Sequence, residues 1–129
     1  MESQNEKQIK NREFILCAAI WYKDGLIHDG QPKNIETGFV IAGRRHHNCY
    51  ATARALSGLD EAIKLKITNI ENSMSKEDYR NHQGFITSLD RYVNRREGYR
   101  IAKANNQIQF GLNASDNGDD SILISENLY

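Results

Sequence analysis

The chain has 129 residues, a length that suits a single domain with a core of its own. Its 17 Lys and Arg residues equal its 17 Asp and Glu residues, so the formal net charge is zero. This balance argues against duplex nucleic acid or an anionic membrane as a partner, because both are bound through a broad positive field. Any anion-binding site is therefore expected to be local.

Cysteine usage and hydropathy indicate an intracellular protein. Cys17 and Cys49 are too few for a disulfide framework. The longest apolar run, from Phe14 to Tyr22, is far shorter than the roughly 20 residues that span a membrane. The first residues contain no charged segment followed by an apolar run, as an export signal would. We expect a cytoplasmic protein without membrane attachment.

The chain is predicted to be one domain with a polar arm. Residues 1–12 are polar, show no hydrophobic period and are expected to form a flexible N-terminal arm. Residues 13–129 are predicted to form a single ligand-binding domain. Within it the Gly/Asp/Asn-rich segment 113–120 is expected to be a mobile loop.

Two apolar runs near the start of this domain predict an antiparallel pair of strands. Residues 14–22 combine aromatic and aliphatic side chains over a length typical of a buried strand, and Asp24-Gly25 follows as a turn. A second run covers residues 35–42 and ends at Gly43.

The spacing then changes to that of a helix. Asn48 is a suitable N-cap, and Cys49, Ala53 and Leu56 recur at i, i+4 and i+7 before Gly58 ends the pattern. This spacing predicts Cys49 as a core residue. A nucleophilic role would require an oriented base and a lowered thiol pKa.

The middle of the chain predicts helix followed by strand. A helical stretch is expected over residues 59–79, with a further turn beginning at Ser75. Residues 83–88 predict a short strand, and a turn connects it to a second extended stretch at Tyr92-Val93.

The last predicted elements are a capped helix and an edge strand. Asn94 and Glu97 have capping-box spacing for a helix that runs to about Asn105, and residues 121–125 predict the strand. Together the elements predict an α+β fold, in which a small antiparallel sheet packs with two to three helices.

A basic segment lies at the first predicted strand-to-helix junction. Arg44, Arg45, His46 and His47 precede a helix N-terminus, where unpaired N–H groups and the helix dipole favour an anion. The two guanidinium groups can add bidentate hydrogen bonds to a phosphate. The competing interpretation is a solvated loop that binds nothing, but four adjacent basic or titratable residues favour a ligand site.

A second segment interleaves aromatic residues with arginine. Residues 83–87 read Gln-Gly-Phe-Ile-Thr, and residues 91–96 read Arg-Tyr-Val-Asn-Arg-Arg. This combination can stack a nucleotide base and neutralise its phosphate. Taken alone, it is better explained as a hairpin with Phe85 in the core and the arginines in water. Two such basic segments in a chain of zero net charge suggest that their positive groups converge.

Two other functions compete with ligand binding. A phosphodiesterase or metal-dependent nuclease could use His46 and His47, since a strand–strand–helix context with His-His-Asn superficially resembles ββα-metal nucleases. The second metal-binding histidine expected on the helix is absent, so we expect no metal, no cofactor and no catalysis. A protein-binding inhibitor could instead use an outer helical stripe of Arg96, Arg100 and Lys103.

The motifs of the chain resemble those of a family of small phage-encoded proteins. They lie at residues 43–50, 83–87, 91–95, 101–102 and 106–108 and read Gly-Arg-Arg-His-His-Asn-Cys-Tyr, Gln-Gly-Phe-Ile-Thr, Arg-Tyr-Val-Asn-Arg, Ile-Ala and Asn-Gln-Ile. On these motifs the chain is similar, over residues 14–108, to the first type of the Thoeris anti-defence sponges.

The resemblance implies a phage protein that acts in the cytoplasm of the infected bacterial host. It implies sequestration of cyclic ADP-ribose isomers, and in some relatives of cyclic di- or trinucleotides, without cleavage. It also implies a homodimer or higher homo-oligomer with pockets near the subunit interface. Carried over from the matching motifs, the ligand-binding candidates are Arg44, Arg45, His46, His47, Gln83, Phe85, Thr87, Arg91, Arg95, Asn106 and Gln107.

Overall fold

The computed structural model of the protein describes residues 12–110 and 121–128. The predicted arm, apart from Arg12, and the predicted loop 113–120 lie outside these residues. The described part forms four strands, four α-helices and a short 3-10 turn. The predicted α+β class is therefore confirmed, with more helices than the two to three expected.

A four-stranded antiparallel sheet forms the centre of the fold. Its strands are β1 (Ile15–Tyr22), β2 (Phe39–Gly43), β3 (Gln83–Thr87) and β4 (Tyr92–Asn94), in the spatial order β2-β1-β3-β4. The predicted pairing of the first two strands is confirmed. β2 is shorter than predicted, because Ile35 belongs to the preceding loop and packs against the outer face of the sheet.

The helices are α1 (His46–Leu59), α2 (Glu61–Asn72), α3 (Lys76–His82) and α4 (Arg95–Ala104). Within the described residues, none of them combines the length and the apolar composition that crossing a bilayer requires. The predicted bounds of α4 are confirmed, since the Asn94 side chain accepts the N–H of Glu97 at 2.9 Å and Asn105 is the C-cap.

The helical stretch predicted over residues 59–79 is divided into separate helices. Asp60 starts a new helix because its carboxylate accepts the N–H of Ala62 at 2.8 Å. The turn predicted at Ser75 is confirmed as the start of α3, where the Ser75 hydroxyl accepts the N–H of Asp78 at 3.1 Å. The N-caps inside this stretch therefore determine where its helices begin, although the apolar spacing alone predicts one continuous helix.

The start of α1 differs from the prediction. Arg45 is the N-cap, and Asn48 lies in the first turn, where its side-chain oxygen accepts the backbone N–H of Arg45 at 3.1 Å. A polar side chain at this third helical position can accept the backbone N–H of the N-cap residue. A capping residue in the sequence therefore does not show by itself where the helix begins. His46 and His47 consequently lie on a helical turn rather than in an extended loop.

The C-terminal segment is not the predicted edge strand. Residues 121–124 have no strand assignment, and Ser125–Asn127 forms a 3-10 turn. The N–H of Leu123 donates to the carbonyl of Arg95 at 2.9 Å, so the segment is attached to the start of α4 and not to the sheet.

The main core lies between one face of the sheet and the helices. Ile20 and Phe85 from the central strands contact this core together with Ala53 and Leu123. The prediction for Cys49 is confirmed, because its side chain is fully buried in the same cluster. Burial, followed by the nearby second thiol, raises the pKa of Cys49 to about 11, which makes it a poor nucleophile.

Gly84 is the point of closest approach in the sheet. A Cβ atom there would lie 2.1 Å from the carbonyl oxygen of Val93 and 2.7 Å from Cζ of Tyr92. The Tyr92 ring is held in this position because its hydroxyl donates to the carbonyls of Asn81 at 2.6 Å and His82 at 3.0 Å. Only a residue without a side chain fits beneath it.

We expect Gly84→Ala to lower the free energy of unfolding by at least about 2 kcal/mol, because the backbone of β4 must move to admit the methyl group. Gly58→Ala is the matched control. A Cβ at Gly58 meets no atom within 4 Å, and alanine in a helix is expected to stabilise by up to about 1 kcal/mol. Denaturant unfolding followed by the fluorescence of Trp21 measures both. Equal stability of Gly84→Ala and the wild type would contradict the assigned role.

Candidate functional site

A cleft opens between α3, the start of α4 and the C-terminal segment. Its volume is about 330 Å³. We call it the arginine cleft, and its lining residues are Glu77, Arg80, Asn81, Asn94, Arg95, Arg96 and Ile122. Among these described lining residues, three arginines and one glutamate give an excess of positive charge.

Two asparagines hold the walls of the arginine cleft together. The amide nitrogen of Asn94 donates to the side-chain oxygen of Asn81 at 3.2 Å, which links the start of α4 to α3. The Asn81 amide in turn donates to the carbonyl of Glu77 at 3.2 Å. The N-terminus of α4, the positive end of its dipole, is thereby fixed at the cleft.

Arg95 carries the least satisfied charge in this region. Its Nε is buried and has no hydrogen-bond partner among the described residues. Buried donors without partners are rare, and a desolvated guanidinium nitrogen is more costly than a neutral group. Arg95 also lines the cleft, where a bound anion would balance its charge. Arg80, from the last turn of α3, lies exposed on the opposite wall.

His46 connects the first basic segment to this region. Its Nε2 donates to the carbonyl of Gly84 at 2.9 Å, and its ring contacts Phe85 edge-on at 5.1 Å between centroids. Burial is the main reason that the pKa of His46 is lowered. The Gly84 carbonyl opposes this effect, and the charge of Arg95 adds to it. His46 and Arg95, one from each predicted basic segment, are thus brought near each other.

The rest of the first basic segment lies elsewhere. Arg44 and His47 are exposed and Arg45 is half-buried, and none of the three lines the arginine cleft. At the N-terminus of α1, the backbone N–H of His46 donates to the hydroxyl of Ser125 at 3.3 Å. The chain itself therefore occupies part of the helix terminus that was predicted to hold a phosphate.

Three other candidate residues belong to the framework. Phe85 is fully buried, so it has no exposed face on which a base could stack in this structure. The hydroxyl of Thr87, also buried, donates to Glu13 at 2.6 Å. Arg91 donates to Glu13 at 2.9 Å and to Glu97 at 2.7 Å. Hydrogen bonding to Glu97 is the main reason that the pKa of Arg91 is raised.

The remaining candidates also contact their own chain. The Gln83 amide donates to the hydroxyl of Tyr50 at 2.9 Å. Gln107 accepts the N–H of Ile15 at 2.9 Å and donates to its carbonyl at 2.8 Å, which ties down the start of β1. Asn106 is exposed just after α4 with a left-handed φ of 55°, a conformation that asparagine tolerates well.

No sequence pattern marks Arg80, Asn81 or Ile122 as cleft residues. Arg80 and Asn81 lie on a helix of seven residues that carries no binding motif, and Ile122 was assigned to a strand. The helical position of Arg96 was predicted correctly, on a stripe with Arg100 and Lys103 that is exposed.

His82 is buried, whereas His46 is half-buried. Its Nδ1 donates to the carbonyl of Trp21 at 3.0 Å, while its Nε2 has no partner among the described residues. Burial lowers the pKa of His82. Within residues 12–110 and 121–128, no three His, Cys, Asp or Glu side chains cluster as metal ligands would.

The lowered pKa values of His46 and His82 predict how stability depends on pH. Because each folded-state pKa lies below its unfolded value, the unfolded chain binds protons first as the pH falls. Stability should be complete above about pH 6.5 and should then decrease, by at most ~1.4 kcal/mol per pH unit for each histidine. Denaturant unfolding at several pH values measures this slope. His82→Gln should flatten it, and an unchanged slope in that variant would contradict the assignment.

Comparison with known proteins places the chain in a family. The family model described as "Phage T4 y16D protein" matches residues 14–129, a span that includes every strand and helix described above. Neither the curated proteins nor the solved structures contain a match to the chain. Because the family match covers most of the sequence, the chain belongs to the phage T4 y16D protein family.

Proposed function

We propose that this phage protein binds a nucleotide signal in the arginine cleft and sequesters it without cleaving it. The observation that carries the proposal is a cleft lined by Arg80, Arg95 and Arg96. Among the described residues, the buried Nε of Arg95 has no hydrogen-bond partner. The ligand class, cyclic ADP-ribose isomers with cyclic oligonucleotides as a second group, follows from the motif resemblance to the Thoeris anti-defence sponges. The protein would act in the host cytoplasm, as a homodimer or higher homo-oligomer.

The chemistry of the cleft suits a compact diphosphate. Guanidinium groups from α3 and α4 approach from two sides and can form charge-assisted hydrogen bonds with phosphate oxygens. Glu77 can accept a ribose hydroxyl, and Ile122 adds apolar surface. The volume, about 330 Å³, lies within the usual range for small-molecule sites of about 300–1,000 Å³.

The lining favours binding over catalysis. Arginine and asparagine side chains are poor proton acceptors, and among the described lining residues Glu77 is the one carboxylate. The competing phosphodiesterase would use His46 and His47. Burial favours the neutral form of His46, and its Nε2–H is engaged by a backbone carbonyl, which is unfavourable for a general acid.

Ligand retention tests the proposal. The full chain is mixed with a cyclic ADP-ribose isomer, freed of unbound nucleotide and heated, and we expect unmodified ligand in the supernatant. Arg95→Gln should lower retention by about tenfold or more, since a hydrogen bond to a charged group contributes about 1.5–3 kcal/mol. Arg100→Gln is the matched control, because Arg100 lies exposed on the same helix and outside the cleft lining.

Three results would contradict this proposal. Recovery of a cleaved product would replace sequestration with catalysis. Metal-dependent turnover that His46→Ala abolishes would assign the chemistry to the first basic segment instead. Equal retention by Arg95→Gln and Arg100→Gln would show that the ligand binds outside the arginine cleft.

A further inference from the structure

A second groove adjoins the arginine cleft on the other side of α3. Its volume is about 380 Å³ and its lining residues are Met74, Ser75, Lys76, Tyr79 and Arg80. We call it the tyrosine groove. Arg80 lines both cavities, so the two meet at this side chain.

Helical spacing explains why α3 separates two surfaces of different chemistry. Glu77, Arg80 and Asn81 follow one another at i, i+3 and i+4 and line the arginine cleft. Lys76 and Tyr79 are three residues apart and line the groove. One short helix thus presents charged and amide groups on one side and an aromatic ring on the other.

Tyr79 is an unusual side chain for its position. It is 57% exposed, whereas Phe85 and Tyr92, the aromatic residues of the second predicted basic segment, are buried. Phe110 is similarly exposed but lines neither cavity. Tyr79 is therefore the exposed aromatic ring that lies beside the arginines.

We propose that the tyrosine groove binds the base of the nucleotide whose phosphates occupy the arginine cleft. This inference rests on the proposed function and adds to it the place where the base of the ligand binds. The ring of Tyr79 offers a face for stacking, and the thioether of Met74 offers polarizable apolar contact. Arg80 lies between base and phosphate, where its planar guanidinium can contact both.

Two probes that differ by a nucleoside test the inference by isothermal titration calorimetry. ADP carries a base and a diphosphate, whereas pyrophosphate carries the diphosphate alone. Tyr79→Leu should weaken ADP binding about tenfold, the effect of losing one stacked base, and should change pyrophosphate binding less than about twofold. Tyr79→Phe, which keeps the ring, should bind ADP like the wild type. Phe110→Leu is the control for loss of an exposed aromatic ring elsewhere.

The outcomes separate this inference from the function on which it rests. If Arg95→Gln weakens both probes while Tyr79→Leu leaves ADP binding unchanged, the inference is overturned and the anion site stands. If the wild type binds neither probe and retains no cyclic ADP-ribose isomer, both are overturned. If Tyr79→Leu alters the oligomeric mass in native mass spectrometry and not ADP affinity, Tyr79 belongs to a protein contact and the inference is again overturned.

Discussion

The close packing at Gly84 is the constraint on which the rest of the structure depends. Gly84 lies in β3 opposite both Ala19 and Asn94, and the ring of Tyr92 covers its Cα. Its carbonyl accepts the Nε2–H of His46, which positions the first turn of α1. Asn94, its neighbour across the sheet, is the N-cap of α4. The absence of one side chain therefore determines where two helices begin.

A chain of zero net charge can present a positive cleft because many of its other charges are paired. Asp24 shows the pattern: burial alone would raise its pKa, but hydrogen bonds from a backbone N–H, His28 and Lys66 outweigh burial and hold the pKa below its usual value. Glu13 and Glu97 similarly engage Arg91. The positive charge beside α4 is thus local and is not visible in the net charge of the chain.

Local patterns were predictable from the sequence, and contacts between distant segments were not. The spacing around Asn94 and that around Cys49 involve a few neighbouring residues, and the structure agrees with both. Asn48 was predicted to be the N-cap, but the helix begins before it. A side chain can contribute to capping from the third helical position as well as from the N-cap position. The basic cleft depends on how α3 is joined to the start of α4, through the hydrogen bond between the side chains of Asn94 and Asn81. Phe85 was recognised as a possible core residue from its hydrophobicity, and the structure buries it in the main core.

The attachment of residues 121–128 has a consequence for how the protein is made. This segment bonds to the carbonyl of Arg95 through Leu123 and to the N–H of His46 through Ser125. It also inserts Leu123, fully buried, into the core. During synthesis the two helices emerge from the ribosome well before the segment that closes over them. A product that ends before residue 121 would lose Leu123 from the core and Ile122 from the wall of the cleft, so both its stability and its binding surface depend on completing the chain.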